Sequence, residues 1–357
     1  MKNVKMIKKM MAVAAAVTVC ATAMTGCGKT ETSEKNKTEN AYADTITLVW
    51  YPNESAENFE GPRDEVGKLI EKATGKKVEQ KLTTDYAIAI ESVSNGSAQI
   101  GCMFGGEGYI QAKNADDAVE LLFVNSDSAG TLDGAMYYSF FAVKEENAAE
   151  YSDENTYSID NIQGKKMSFV SNSSTSGFKV PTNGIISHFG DSSEWSSLTV
   201  DDLLEGGSSA FFSEVLFGGS HQGSAFNLIS GKADIAAFCN TELDHYLSCT
   251  SGEANQVGAV YTVNDDADAP FDTVTGETVT IISSTPVMNG PFVYNSDTLS
   301  PEDVKAIQNL FTSDEVANNE LIFYPEDSET KGAYKKTDNE RFVLVEDSWY
   351  DPIRNME

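Results

Sequence analysis

The sequence predicts an α/β fold in two lobes, and three observations carry that expectation. Short apolar strands alternate with helix-patterned segments over residues 45–124, and the alternation starts again after Ser158. Polar turns rich in glycine and hydroxyls follow several of those strands, where open α/β sheets hold their ligands. The part of the chain that reads as folded, about 310 residues, suits two domains rather than one.

The N-terminus stands apart from the fold. Lys2, Lys5, Lys8 and Lys9 precede an apolar run, residues 10–24, that is too short and alanine-rich for a membrane span. It ends in Ala23-Met24-Thr25-Gly26-Cys27, which resembles the lipobox of bacterial lipoproteins. Residues 1–26 are therefore expected to be a removed signal peptide, with Cys27 carrying the lipid. Residues 27–44 have no apolar periodicity and read as a disordered tether. The expected location is outside the cytoplasm, held to the membrane through Cys27 alone.

The chain carries a net charge of −30, and loss of the four signal lysines makes it more negative still. Such a charge excludes nucleic acid and electrostatic docking on anionic lipid. It also gives an anionic ligand no long-range attraction, so any anion must be captured by local dipoles. With Cys20 and Cys27 assigned to the signal and the anchor, Cys102, Cys239 and Cys249 remain. A Cys239–Cys249 bridge stays open at this point. Neither these cysteines nor His188, His221 and His245 have metal-ligand spacing, so no metal or cofactor is expected.

Each element follows in order. Residues 45–51 form a strand, and Pro52-Asn53-Glu54-Ser55 a turn with a candidate cap. A helix then runs to Thr74, with Leu69 and Ile70 on its buried face and Gly75 as its stop. Residues 78–82 are a strand, and Asp85 caps a helix with Ile88, Ala89 and Val93 at helical spacing. Residues 100–104 are a strand, residues 105–109 open a helix, and residues 121–124 make the next strand. This alternation implies a parallel sheet.

Residues 137–143 begin the second unit as a strand, and a short helix from Ser158 leads to the strand at 165–170. The stretch SNSSTSGFKVP, residues 171–181, follows. It reads as polar turn and helix start, with Ser174, Thr175, Ser176 and Gly177 at the opening. The first N–H groups of a helix lack internal partners and carry partial positive charge, so hydroxyls beside them make an anion socket without Lys or Arg. The competing reading is an ordinary N-cap by Ser174 or Thr175. Strands are expected at 211–216, 233–238, 257–263, 279–283 and 292–294, with helices after Ser220 and after Thr241 (TELDHYL). Ser300 caps a helix ending near Phe311. Crossings near Tyr137 and Pro286 divide the chain into lobe 1, residues 45–137 plus 284–357, and lobe 2, residues 138–283. The turns at 53–55, 105–109, 174–176, 220–221 and 240–242 all fall at strand ends facing one cleft, which favours the anion socket over the cap.

These residues together resemble the periplasmic-type substrate-binding proteins of phosphate, phosphite and phosphonate ABC transporters, over most of residues 45–325. The matching pieces are Pro52-Asn53-Glu54-Ser55, Asp85-Tyr86-Ala87, Gly164-Lys165-Lys166, STSGFKVP, Gly219-Ser220-His221, Asn240-Thr241-Glu242 and Thr285-Pro286 with Pro291. The resemblance implies the two-lobed class II periplasmic binding protein fold, each lobe a mixed, mostly parallel sheet with flanking helices and two hinge crossings. It implies that Ser174, Thr175 and Ser176 hold the oxyanion, that His221 donates to it, and that Tyr86 and Tyr137 supply phenol donors. Glu242 matches an acid that pairs with the ligand ammonium in aminophosphonate binders. Those binders carry a second acid where this chain has Gly290, and the turn at 105–108 is unusually rich in glycine, which would leave room for a different tail. The implied function is that of a lipid-anchored, monomeric solute-binding component of an ABC importer, which docks on a permease and is not an enzyme. The alternatives are a sensor lipoprotein of the same fold and a serine hydrolase using Ser174, His221 and Glu242. The hydrolase lacks a Gly-x-Ser-x-Gly elbow.

Overall fold

Alternating apolar residues bury β1 (Thr45–Trp50) inside the first sheet, one strand from its edge, with Ile46, Leu48 and Val49 fully enclosed. The computed structural model describes residues 42–53, 59–152, 156–325, 328 and 330–356, which all belong to one unit, Asn40–Glu357. The expected signal peptide, Cys27, the expected tether up to residue 41, Glu54 and Ser55 lie outside the described residues.

After α1 (Glu60–Thr74) the chain stops at Gly75, which takes the left-handed φ of 68° that a helix stop favours. The strand β2 (Lys77–Lys81) pairs parallel with β1. The carboxylate of Asp85 accepts the Ala87 N–H and so caps α2 (Tyr86–Ser94). Strand β3 (Ile100–Cys102) is parallel to β1 on its other side. Helix α3 (Gly106–Ala115) and β4 (Val119–Asn125) complete the run.

The second sheet opens with β5 (Met136–Lys144) and β6 (Lys166–Phe169). A π-helical turn, Thr175–Lys179, runs directly into α4 (Val180–Phe189). Then come β7 (Glu214–Phe217), α5 (His221–Ile229), β8 (Ile235–Cys239), β9 (Leu247–Ser251), β10 (Val260–Val263) and β11 (Thr278–Met288). The chain returns to the first sheet with β12 (Pro291–Asn295), then α6 (Pro301–Phe311), capped by Ser300, and α7 (Asp314–Ala317). A small pair, β13 (Phe323–Pro325) and β14 (Tyr334–Lys336), precedes β15 (Phe342–Val343) and α8 (Asp351–Arg354).

The first sheet is ordered β15-β4-β12-β3-β1-β2 and the second β7-β6-β8-β5-β11-β10-β9. Strands β5 and β11, which lead out of and back toward the first sheet, lie antiparallel along their whole lengths, from Met136↔Met288 to Val279↔Lys144. The parallel cores β2-β1-β3 and β7-β6-β8 are those the alternation foresees. Antiparallel pairing is more extensive than the alternation suggests, because β12 returns between β3 and β4, and β5 and β11 join the second sheet.

Local expectations fail in two places. Residues 158–163 form turns, not a helix; Ile159 and Ile162 are buried at an i, i+3 spacing that a tight turn reproduces. TELDHYL gives only a 3-10 turn, Thr241–Leu243, because Leu247 is drawn into β9 opposite Val263. Cys102, Cys239 and Cys249 are all free thiols, so the Cys239–Cys249 bridge is not formed. Among the described residues no helix is long and apolar enough to cross a membrane.

Candidate functional site

Strand β6 delivers the socket from the second sheet. Ser174 is the cap of the helix that follows: its Oγ accepts the Gly177 N–H at 3.1 Å. Gly177 must lack a side chain, since a Cβ there would lie 2.2 Å from Val170 Cγ2. With the helix start pressed so closely on the strand end, Ser174, Thr175 and Ser176 are enclosed and line a cleft of about 1080 Å³ between the two sheets. The cap reading and the socket reading are therefore not exclusive. Ser174 Oγ accepts from the backbone and keeps its own proton to donate, and the helix dipole points at the same spot.

A second helix start brings His221 beside it. Ser220 Oγ accepts the Gly223 N–H at 3.0 Å and caps α5. Gly218 and Gly223 approach so closely that a Cβ on Gly223 would lie 2.1 Å from the Gly218 carbonyl. His221 is buried, and its Nδ1 accepts the Cys239 N–H at 3.1 Å. In the neutral ring the proton therefore sits on Nε2, which makes that nitrogen a donor. Burial pushes the His221 pKa down to about 3, so the ring stays neutral. A serine-activating histidine needs the opposite tautomer, with Nδ1–H held by an acid and Nε2 free to accept.

The first sheet supplies the facing wall. Asn53 Nδ2 donates to the Met103 carbonyl at 2.9 Å, and Met103 holds a φ of 55° that non-glycine residues rarely adopt. The Asn53 carbonyl accepts the His221 N–H at 3.3 Å, which joins the two walls. Tyr137, at the start of β5, lies within hydrogen-bonding reach of the Ser176 and Thr175 side chains, and burial raises its phenol pKa so that it remains a donor. Glu242 is buried, lines the cleft, and adds its charge to the forces that raise Tyr137, Tyr86 and Cys239. The two lysines on the cleft wall, Lys331 and Lys335, belong to the C-terminal segment, and Lys331 pairs with Asp268.

The structure thus brings Ser174, Thr175, Ser176, His221, Tyr137 and Glu242 to one cleft. Tyr86 stands one layer behind: its ring packs edge-on to Tyr51 at 4.4 Å and its hydroxyl reaches Asn53 Oδ1 at 3.3 Å. Tyr51 and Tyr334 line the cleft without having been singled out. Tyr51 closes the strand expected at 45–51 and follows β1 directly; Tyr334 sits in a C-terminal stretch with no pattern to mark it. The glycine-rich turn gives no room for a ligand tail. The space a Cβ would take is filled by Thr175 at Gly105, by Ile353 and Tyr350 at Gly106, and by Tyr51 at Gly108. Gly290 is equally constrained: a Cβ would lie 2.0 Å from the Phe104 carbonyl, so no acid fits there on this backbone.

Comparison with known proteins identifies the family and the fold. Residues 48–350 match the family described as ABC transporter, phosphonate, periplasmic substrate-binding protein. The chain is 27% identical over 355 residues to the "Phosphate-import protein PhnD" of Mycolicibacterium smegmatis, covering 98% of this chain and 94% of that protein. Among solved structures, PhnD1 from Prochlorococcus marinus in complex with methylphosphonate is similar with a TM-score of 0.58 at 16% identity, over 88% of this chain and 97% of that one. A Xanthomonas citri protein, XAC2383, bound to ATP is similar at 0.53 and 12% identity, over 88% and 99%. The structural likenesses establish the two-lobed fold, and the family match covers nearly all of it. The chain belongs to the family of periplasmic substrate-binding proteins of phosphonate ABC transporters.

Proposed function

We propose that this protein captures a tetrahedral phosphorus oxyanion, a phosphonate, phosphite or phosphate, between its lobes and presents it to the transporter's permease. The observation that carries the reading is the convergence of the Ser174, Thr175 and Ser176 hydroxyls with the neutral Nε2–H of His221 on one face of the cleft. Those donors, with Tyr137, neutralise an anion through dipoles, as a chain of net charge −30 requires. Lobe 1 comprises residues 45–137 and 284–357 and lobe 2 residues 138–283, with β5 and β11 as the hinge. The same tautomer of His221 supports binding over hydrolysis, since its Nε2 has no lone pair with which to take a serine proton.

Glu242 is the acceptor for a P–O–H proton in this reading. Sulfate has no such proton at neutral pH, so its oxygen would meet the buried Glu242 carboxylate as acceptor against acceptor, which disfavours it. Gly290 leaves no place for a second acid, which favours an uncharged substituent, or none, over an aminoalkyl tail. The names of the two relatives, a phosphate-import protein and a methylphosphonate complex, point to the same ligand class. The mature chain is a monomer tethered through lipidated Cys27. Calorimetric titration of the full chain with phosphate, phosphite, methylphosphonate, aminoethylphosphonate and sulfate tests the proposal. Binding of at least one of the first three with sulfate excluded is expected; heat from sulfate alone, or from none, overturns it.

A further inference from the structure

Of the hydrogen bonds that run between the lobes, two involve side chains that flank the socket. The Tyr51 hydroxyl, at the end of β1, donates to the Ser173 carbonyl at 2.8 Å, with both groups buried. Thr175 Oγ1 accepts the Glu107 N–H at 2.9 Å. Helix α3 starts at Gly105 with no side-chain cap of its own, so a hydroxyl from the other lobe caps it. The glycine-rich turn makes both contacts possible. A Cβ at Gly105 would lie 2.5 Å from Thr175 Oγ1, and one at Gly108 would lie 2.3 Å from the Tyr51 hydroxyl.

We propose that Tyr51 and Thr175 form a clasp that couples lobe closure to the anion socket, with Tyr51 as a positioning residue that does not touch the ligand. The proposal rests on the oxyanion reading of the cleft. Opening the lobes must break both bonds, because Tyr51 and Glu107 belong to the first-sheet side and Ser173 and Thr175 to the second. Thr175 can accept from Glu107 and donate its own proton to an oxyanion at once, and each bond polarises the other. Closure thereby strengthens the donor that faces the ligand, and the ligand in turn favours the closed form. Gly105 and Gly108 are kept free of side chains for this clasp.

The test uses the full chain with inorganic phosphate and methylphosphonate as probes. Tyr51→Phe keeps the ring stacked on Phe104 and removes only the hydroxyl. It is expected to weaken both probes by the same factor, about fivefold, through faster release. Gly108→Ala should do the same by displacing the hydroxyl, although alanine is the better helix former. Amide hydrogen exchange across residues 105–109 without ligand should accelerate in Thr175→Val and return to the wild-type rate in Thr175→Ser. Wild-type affinity in both Tyr51→Phe and Gly108→Ala overturns the clasp, as does loss of one probe without the other, which would make Tyr51 a ligand contact. If neither probe binds wild type, and phosphite does not bind either, the oxyanion reading fails. The clasp is then decided by exchange alone, and unchanged exchange in Thr175→Val rejects it.

Discussion

The backbone N–H of Cys239, the last residue of β8, points at Nδ1 of His221, the first residue of α5, across 3.1 Å. That one bond sets the tautomer of the ring, and burial keeps it neutral. It also makes a stability prediction. Below about pH 6.5 the unfolded chain takes up a proton on this histidine, whereas the folded protein does not until about pH 3. The contribution is therefore complete above pH 6.5 and is lost as pH falls, by up to about 1.4 kcal/mol per unit. Urea unfolding at pH 7 and pH 5 should show a loss about 2 kcal/mol smaller in His221→Gln than in wild type. An equal loss in the two proteins would mean the ring is not held neutral.

Gly290 sets a limit on what the cleft can hold. Its Cα side faces the Phe104 carbonyl, while the Phe104 N–H donates to Pro291 at 2.9 Å. Gly290→Ala should destabilise the protein by about 1–3 kcal/mol in urea unfolding, since backbone rather than a flexible side chain must move. An unshifted midpoint would contradict so close an approach of Gly290 to the Phe104 carbonyl.

Glu242 is expected to govern discrimination. Glu242→Gln replaces an acceptor by a group that can donate, so phosphate should bind at least tenfold more weakly while sulfate begins to bind. Competition of the two anions in calorimetry measures this. Unchanged exclusion of sulfate would move the discriminating acceptor elsewhere.

The three cysteines give a structural check. Burial pushes the Cys102 and Cys239 thiols up, whereas Cys249 is only half-buried. Alkylation of the native protein followed by peptide mapping should modify Cys249 first and reach Cys102 and Cys239 only on unfolding. Recovery of a Cys239–Cys249 peptide pair from the native chain would contradict the free thiols.

Much of this was legible in the sequence because the signals were local. Asp85, Ser220 and Ser300 cap the helices their patterns announced, and Gly75 stops α1. Ser174, Thr175 and Ser176 stand at a helix start as the STSG stretch implies. The parts that failed depend on distant partners. Leu247 is claimed by Val263 in a neighbouring strand, which no property of TELDHYL encodes. The glycines at 105, 106 and 108 look like free space in one dimension; in three they are filled by Thr175, Ile353 and Tyr51, which are far away in sequence. Tyr86 carried the right neighbours but sits behind Asn53, a distinction of one packing layer that spacing does not register.

The central claim is that the hydroxyls opening the helix after β6 hold the ligand. Titration of Ser174→Ala and of Ser176→Ala with the tightest-binding oxyanion tests it most directly, with circular dichroism to confirm the fold. Each substitution should cost tenfold or more in affinity, about 1.5–3 kcal/mol, because each removes a donor from a buried anion. Wild-type affinity in both variants would contradict the account.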